Sequence, residues 1–332
     1  MDSKQRELEH HIFEIKSDDD FNECALNIFR FQAENNSVYK EYIKLLKVNV
    51  DGVNSIEQIP FLPIEFFKSN QIITGNNPVE ITFESSGTTG SIPSKHYVSK
   101  VGLYKESFGK GFEYFYGNPN EYSILALLPS YLERQHSSLI FMVNDLIEQS
   151  NNKDSGFYLH TTKDLVSKLQ EINDGKKKVL LIGVSYALLD LAEEFELNLS
   201  NVIIMETGGM KGRREELVRK ELHEILCRRF NVSRIHSEYG MTELLSQAYS
   251  KGDGIFQCPP WMKVMIRNIN DPMSFLSNQK TGGINIIDLA NLYSCSFIAT
   301  QDLGKIHNEK SFEVLGRFDN SDLRGCNLLI SE

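Results

Sequence analysis

Over residues 1–47 the apolar positions Phe21, Leu26, Phe29, Tyr39, Tyr42, Ile43 and Leu46 recur at helical spacing. This predicts a helical segment, taken over residues 1–59, packed as a layer on the main domain. Pro60-Phe61-Leu62-Pro63-Ile64-Glu65-Phe66-Phe67 follows. Its prolines favour extended backbone, and its aromatics are read as core, with a pocket wall as the alternative. Val79, Ile81 and Phe83 then alternate, the pattern of a strand. Residues 100–116 predict a helix with an aromatic face of Tyr104, Phe108, Phe112 and Phe115. Ser123 to Leu128 is a short apolar run stopped by Pro129, a buried strand. A helix over 136–149, a strand Val179–Val184, a helix over 186–196 and a strand Val202–Met205 come next. Leu217, Val218, Leu222, Ile225, Leu226 and Phe230 mark one face of a helix over 213–230. Ile284–Leu289 and Ser296–Thr300 read as a β-pair within a smaller β-rich part, with Gln301-Asp302-Leu303-Gly304 beyond it. Strands alternating with helices predict an α/β fold with a mainly parallel sheet. Ligands of such sheets bind beyond the carboxyl ends of the strands.

Polar loops stand at those ends. The first is Ser85-Ser86-Gly87-Thr88-Thr89-Gly90, followed by Lys95. Its glycines let backbone N–H groups turn toward one point, and its hydroxyls add donors. Such a concavity suits phosphate oxygens, and Lys95 adds a cation. The Walker A pattern is excluded, because Ser91-Ile92-Pro93-Ser94 separates Gly90 from Lys95. A Ser/Thr/Gly-rich surface loop is the alternative. The second loop, Glu206-Thr207-Gly208-Gly209-Met210-Lys211-Gly212, lets a flat ligand approach backbone, or is a simple strand-to-helix turn. The third, His236-Ser237-Glu238-Tyr239-Gly240-Met241-Thr242-Glu243, offers a ring, a hydroxyl and a carboxylate. Such a set suits a base, a phosphate and Mg²⁺. Asp302 either caps a turn or accepts from a ribose.

Charge narrows the partners. Lys+Arg 35 against Asp+Glu 45 gives −10, which disfavours nucleic acid. Asp18-Asp19-Asp20 and Lys176-Lys177-Lys178 are short runs read as solvated surface. Cys24, Cys227, Cys258, Cys295 and Cys326 include no C-x-x-C pair, and an odd number cannot all pair, so a reducing cytoplasm is expected. The histidines lack metal-ligand spacing, His10-His11 being a weak exception. No run approaches the roughly 18 apolar residues of a membrane helix.

Together these loops resemble the adenylate-forming superfamily of acyl-CoA synthetases and related ligases. Ser85 to Gly90 resembles its phosphate loop, and Tyr239-Gly240-Met241-Thr242-Glu243 its Y-G-x-T-E motif. Asp302 resembles its ribose-binding aspartate, and Gly316-Arg317-Phe318-Asp319 its hinge motif. Four signatures in order are far more specific than one. The closer resemblance is to the LuxE-type acyl-protein synthetases. It rests on Pro60–Pro63, Leu128-Pro129-Ser130-Tyr131-Leu132-Glu133-Arg134, the run Met205 to Arg214, and Arg324-Gly325-Cys326.

The resemblance implies an adenylate-forming large-domain fold over residues 60–332: mixed sheets with flanking helices and a small β-rich C-terminal part. It implies that the superfamily's small C-terminal domain and its catalytic lysine are absent, as in LuxE-type proteins. Adenylation would then be slow, depend on a partner, or use Lys95 or Lys211. The implied reaction joins a carboxylic acid, of fatty-acid class, to AMP from ATP with Mg²⁺, and then moves the acyl group to a thiol. Ser85, Ser86, Gly87, Thr88, Thr89 and Gly90 would hold phosphates, with Lys95 beside them. Glu243 would hold Mg²⁺. Tyr239 would stack on adenine next to Gly208, Gly209 and Met210. Thr242 would meet the α-phosphate, and Asp302 and Arg317 the ribose. His136 and Gly240 would line the acid's pocket, a helix-capping neighbourhood being the alternative for His136. Cys326 would carry the acyl group as a thioester, its thiolate favoured by Arg324, before a partner reductase or transferase accepts it. An inert core thiol is the alternative. Competing functions are a free-standing acyl-CoA ligase or acyltransferase, and a non-catalytic nucleotide-binding subunit of an acyl-processing complex.

Overall fold

The computed structural model describes residues 3–318 apart from 87–91, 130–135, 159–161, 174, 176, 209–216, 278 and 309. Helices α1 (Ser3–Ile12), α2 (Asp18–Asn35) and α3 (Ser37–Leu45) open the chain. The acidic run Asp18–Asp20 is the first turn of α2, where negative charge meets the helix's positive end. Ser17 caps it: its hydroxyl accepts from Asp20 N at 3.1 Å, and Asp20 Oδ2 accepts from Ser17 N at 3.0 Å. Phe21, Ala25, Ile28 and Phe29 form the inward face. Buried Gln32 fastens α2 to the main body, donating to the carbonyls of Asn291 at 3.0 Å and Leu292 at 2.9 Å.

Next come β1 (Leu62–Pro63), α4 (Phe66–Ser69) and a hairpin of β2 (Ile81–Glu84) and β3 (Lys95–Val98). After it, α5 (Val101–Tyr116), β4 (Tyr122–Leu127), α6 (Ser138–Ser150), β5 (Gly156–Phe157), α7 (Thr162–Ile172), β6 (Lys178–Val184), α8 (Ser185–Glu194), β7 (Val202–Thr207), α9 (Arg219–Phe230) and β8 (His236–Tyr239) alternate. The remainder is nearly all strand: β9 (Ala248–Ser250), β10 (Ile255–Gln257), β11 (Met262–Arg267), β12 (Gly282–Asp288), β13 (Phe297–Asn308) and β14 (Ser311–Arg317).

These strands, the β2–β3 hairpin aside, make one sheet in the order β11-β12-β13-β14-β10-β9-β8-β7-β6-β4-β5, with β1 also on β13. Along this order the expected mainly parallel sheet is parallel from β5 to β8, and the short β1 lies parallel on β13. From β8 to β11 it is antiparallel. No described α-helix separates those later strands, and short connections permit only antiparallel neighbours. Strands β4 and β6 are buried almost throughout, as expected where helices cover both faces. On α5 the predicted aromatic face is buried, and Tyr104 meets Phe83 and Phe108 edge-on at 5.4 and 4.9 Å.

Two expected boundaries move by more than two residues. Strand β13 does not stop at Thr300. It runs through Gln301–Gly304, with Thr300, Asp302 and Gly304 buried in alternation. Helix α9 starts at Arg219, so Leu217 and Val218 precede it, and Val218 is exposed. No helix among the described residues is long and apolar enough to cross a membrane.

Candidate functional site

The hairpin holds the ends of the glycine-rich loop together. Glu84 and Lys95 are paired across it. Beyond them Ser85 N donates to Ser94 O at 3.0 Å, and Ser94 N donates to Ser85 Oγ at 2.8 Å. Gly87, Thr88, Thr89 and Gly90 lie outside the described residues, and Ser86 is exposed at the loop's mouth. Lys95 Nζ pairs with Glu84 Oε1 at 3.2 Å, both side chains partly exposed. Such a pair is weak, so the lysine can turn to a stronger anion. The backbone of His136 reaches this hairpin: its carbonyl accepts from Glu84 N at 2.8 Å, while its side chain is exposed.

The turn after β8 faces the hairpin. His96 Nδ1 donates to Thr242 O at 2.8 Å, and Asn291 Nδ2 donates to Glu243 O at 2.7 Å. The Glu243 carboxyl is buried, 5% exposed. Burial raises it above the usual carboxylate range, while a hydrogen bond from Ser94 and the charge of Arg317 pull it down. A Cβ at Gly240 would lie 2.5 Å from Glu238 Oε1, so a larger residue there would displace the Glu238 carboxyl.

Strands β13 and β14 bring the remaining residues in. Their register pairs Asp302 with Arg317. Arg317 Nε donates to Asp302 Oδ1 at 3.2 Å, and the Tyr239 hydroxyl donates to Asp302 Oδ2 at 2.7 Å. Burial and the Asp302 charge hold the Tyr239 hydroxyl protonated. Its ring lies against Phe256 and Phe312, each at 5.8 Å.

Gly208, at φ +66, ends β7, and its carbonyl accepts from Ser185 Oγ at 3.1 Å. Gly209 and Met210 lie outside the described residues. Beneath this turn sit two buried carboxyls that sequence reading did not single out. Burial alone would raise Glu206, but His223 and Arg219 hold it below its ordinary value, with Arg219 Nε donating to its Oε1 at 3.1 Å. Glu238 is pushed up to about 7 by burial and by Glu206, against a 2.5 Å hydrogen bond from Thr207 Oγ1. Also unanticipated were His96, Asn291 and Asp288. His96 carried one signal: it occupies an inward position of β3, whose burial alternates.

Cys326 lies outside the described residues. The other thiols are poor nucleophiles: burial pushes Cys24, Cys258 and Cys295 up to about 12 and raises Cys227. No group of three or more His, Cys, Asp or Glu suited to a metal occurs among the described residues. Glu243 and the hydroxyls beside it are hard oxygen donors. They fit Mg²⁺, which takes one or two carboxylates and completes its shell with phosphates and water.

Solved structures share this fold. ATP-bound MatB from Rhodopseudomonas palustris is 16% identical, covering 73% of this chain and 49% of that one at TM-score 0.57. An ATP-bound RpMatB-BxBclM chimera is 17% identical over 74% of this chain and 49% of that one, at 0.56. An open conformation of 2-hydroxyisobutyryl-CoA ligase with 2-HIB-AMP and CoA is 9% identical over 92% and 72%, at 0.66. The chain thus has the fold of adenylate-forming enzymes and spans about half the length of the MatB structures. No curated protein matches it in sequence. The family model for acyl-protein synthetase, LuxE, matches residues 10–332, and the chain belongs to that family.

Proposed function

We propose that this protein activates a carboxylic acid, of fatty-acid class, with ATP and passes the acyl group to a thiol. One observation carries the reading. Tyr239, Asp302, Arg317, Glu243 and Ser94, from four separate stretches of sequence, interact as one cluster at the mouth of the glycine-rich loop. ATP is the nucleotide of the MatB structures, and it suits this cluster.

In this reading a carboxylate oxygen attacks the α-phosphorus, the bond to the β-phosphate breaks, and pyrophosphate leaves. The loop amides and the hydroxyls of Ser85, Ser86, Thr88 and Thr89 hold the phosphates with Gly87 and Gly90. Lys95 leaves Glu84 for them, and Thr242 meets the α-phosphate. Tyr239, Gly208, Gly209 and Met210 bracket the adenine. Asp302 accepts from Tyr239 and Arg317 on one lone pair each, and a carboxylate keeps further sites for ribose hydroxyls. His136 and Gly240 line the acid's side. Mg²⁺ supplies charge neutralisation when bound, and Glu243 is the group that holds it.

The second step is attack of the Cys326 thiolate on the acyl carbonyl carbon, with AMP leaving and a thioester formed. A reductase or transferase that takes the acyl group from Cys326 completes the scheme, and a free thiol suits the cytoplasm. The test is acid-dependent ATP–pyrophosphate exchange across short, long and aromatic acids, with Glu243→Ala as control. Exchange confined to long-chain acids and lost in the control is expected. No exchange with any acid overturns the reading.

A further inference from the structure

The turn that carries Glu243 is held from behind by buried side chains. His96 on β3 grips the Thr242 carbonyl, and Asn291 grips the Glu243 carbonyl. Both side chains are fully buried. Asp288 extends the clamp: its Oδ2 accepts from Leu245 N at 2.7 Å and from Ser246 N at 2.9 Å. Four of five consecutive residues are therefore fixed through their backbone by side chains distant in sequence. A turn built only to reverse the chain can satisfy such groups with water or with its own backbone.

His96 sits on the inward face of β3, directly after the glycine-rich loop. The ring meets Phe67 edge-on at 5.7 Å, which fixes its plane. A carbonyl can only accept, so Nδ1 carries the proton. Nε2, Asn291 Oδ1 and Ser99 Oγ are buried with no hydrogen-bond partner. All three residues line a cavity of about 10 Å³, room for about one water. The ring's bond to the turn is thus made on its Nδ1 side, with the Asn291 side chain adjoining the ring.

We infer that His96 and Asn291 are positioning residues: they lock the Thr242 and Glu243 carbonyls and so aim the Glu243 carboxylate at the ends of the phosphate loop. The inference rests on Glu243 holding Mg²⁺ with ATP, as proposed above. It adds a strut between loop and acid that none of the matched motifs contains.

The donor's position gives the test. An asparagine amide places its N–H where Nδ1 stands; a glutamine amide places it near Nε2. ATP binding is titrated calorimetrically with and without Mg²⁺ in the unchanged full-length chain, His96→Asn and His96→Gln. His96→Asn is expected to keep the Mg²⁺-dependent gain in ATP affinity within about threefold, and His96→Gln to lose it by about tenfold or more, the usual cost of disturbing a metal ligand's support. Asn291→Leu, which fills the space without a donor, is expected to follow His96→Gln. Equal losses in both His96 variants would assign the ring to packing alone, and no loss in either would remove it from the site. Selective ¹⁵N-histidine NMR adds a readout independent of nucleotide: His96 is expected as the Nδ1–H tautomer, and the Nε2–H form overturns the inference. A chain that binds MgATP with these His96 effects but shows no exchange overturns the adenylation reading and leaves this one standing.

Discussion

The Tyr239 hydroxyl and Asp302 Oδ2 are bonded at 2.7 Å across 63 residues of sequence, in the core of the sheet. The contact joins the end of β8 to the middle of β13, strands that are not neighbours in the sheet. Arg317 reaches the same carboxylate from β14. Tyr239 thus holds Asp302 in place, and in the proposed reading its ring also meets the base.

Tyr239→Phe separates the two roles, because it keeps the ring and removes the hydroxyl. A hydrogen bond to a charged acceptor is worth roughly 1.5–3 kcal/mol. The expected result is a rise of about tenfold or more in the KM for ATP in the exchange assay. A KM unchanged in this variant would leave stacking as the tyrosine's whole contribution.

Glu243→Gln tests a buried charge with little change in shape. Burial raises the Glu243 carboxyl, so ionised Glu243 costs stability in the absence of a cation. The variant is expected to melt at the same or a higher temperature than the parent, while exchange falls by about a hundredfold or more, the scale of losing one preorganised electrostatic contact. Unfolding in parallel with lost activity would make Glu243 a structural residue.

Most of this architecture was legible in the sequence, and the failures have physical causes. The parallel strands announced themselves because both their faces are covered, so Ile124-Leu125-Ala126-Leu127 and Leu180-Leu181-Ile182 are unbroken apolar runs. Strand β13 was read short because its inward positions beyond Thr300 are Asp302 and Gly304. Apolar periodicity cannot register a buried carboxylate. The same blindness hid His96, Asn291, Glu206 and Glu238. Each is a polar group buried against a partner far away in sequence, and only the fold makes that partner near. Tyr239, Asp302 and Arg317 were found through motifs, yet nothing in their spacing announced that they bond to one another.

Glu238 gives the pH dependence. Its carboxyl is held near 7 in the folded chain, against an ordinary value of 4.5. The folded state therefore binds a proton that the unfolded state releases. That contribution to stability is complete below the unfolded value and is lost as pH rises through about 7. Urea unfolding at pH 5 and pH 8 is expected to show the parent losing on the order of 2–3 kcal/mol relative to Glu238→Gln over this interval. The glutamine can still accept from Thr207 and cannot ionise. Parallel pH profiles for the two proteins would mean that Glu238 titrates in its ordinary range.

Cys326→Ser is the decisive variant for the second half-reaction. The other four cysteines are disfavoured as acceptors, since desolvation raises all of their thiols, three of them to about 12. At neutral pH such groups are almost entirely protonated, and the thiolate is the attacking form. With radiolabelled acid and MgATP, the parent is expected to retain hydroxylamine-sensitive label after denaturation, as a thioester would. Cys326→Ser is expected to retain none of that label while keeping acid-dependent exchange, because adenylate formation precedes the thiol's attack and does not use it. Label that persists in Cys326→Ser would move the acceptor to another residue. Parent enzyme that exchanges without ever being labelled would favour release of the adenylate's acyl group to an external thiol.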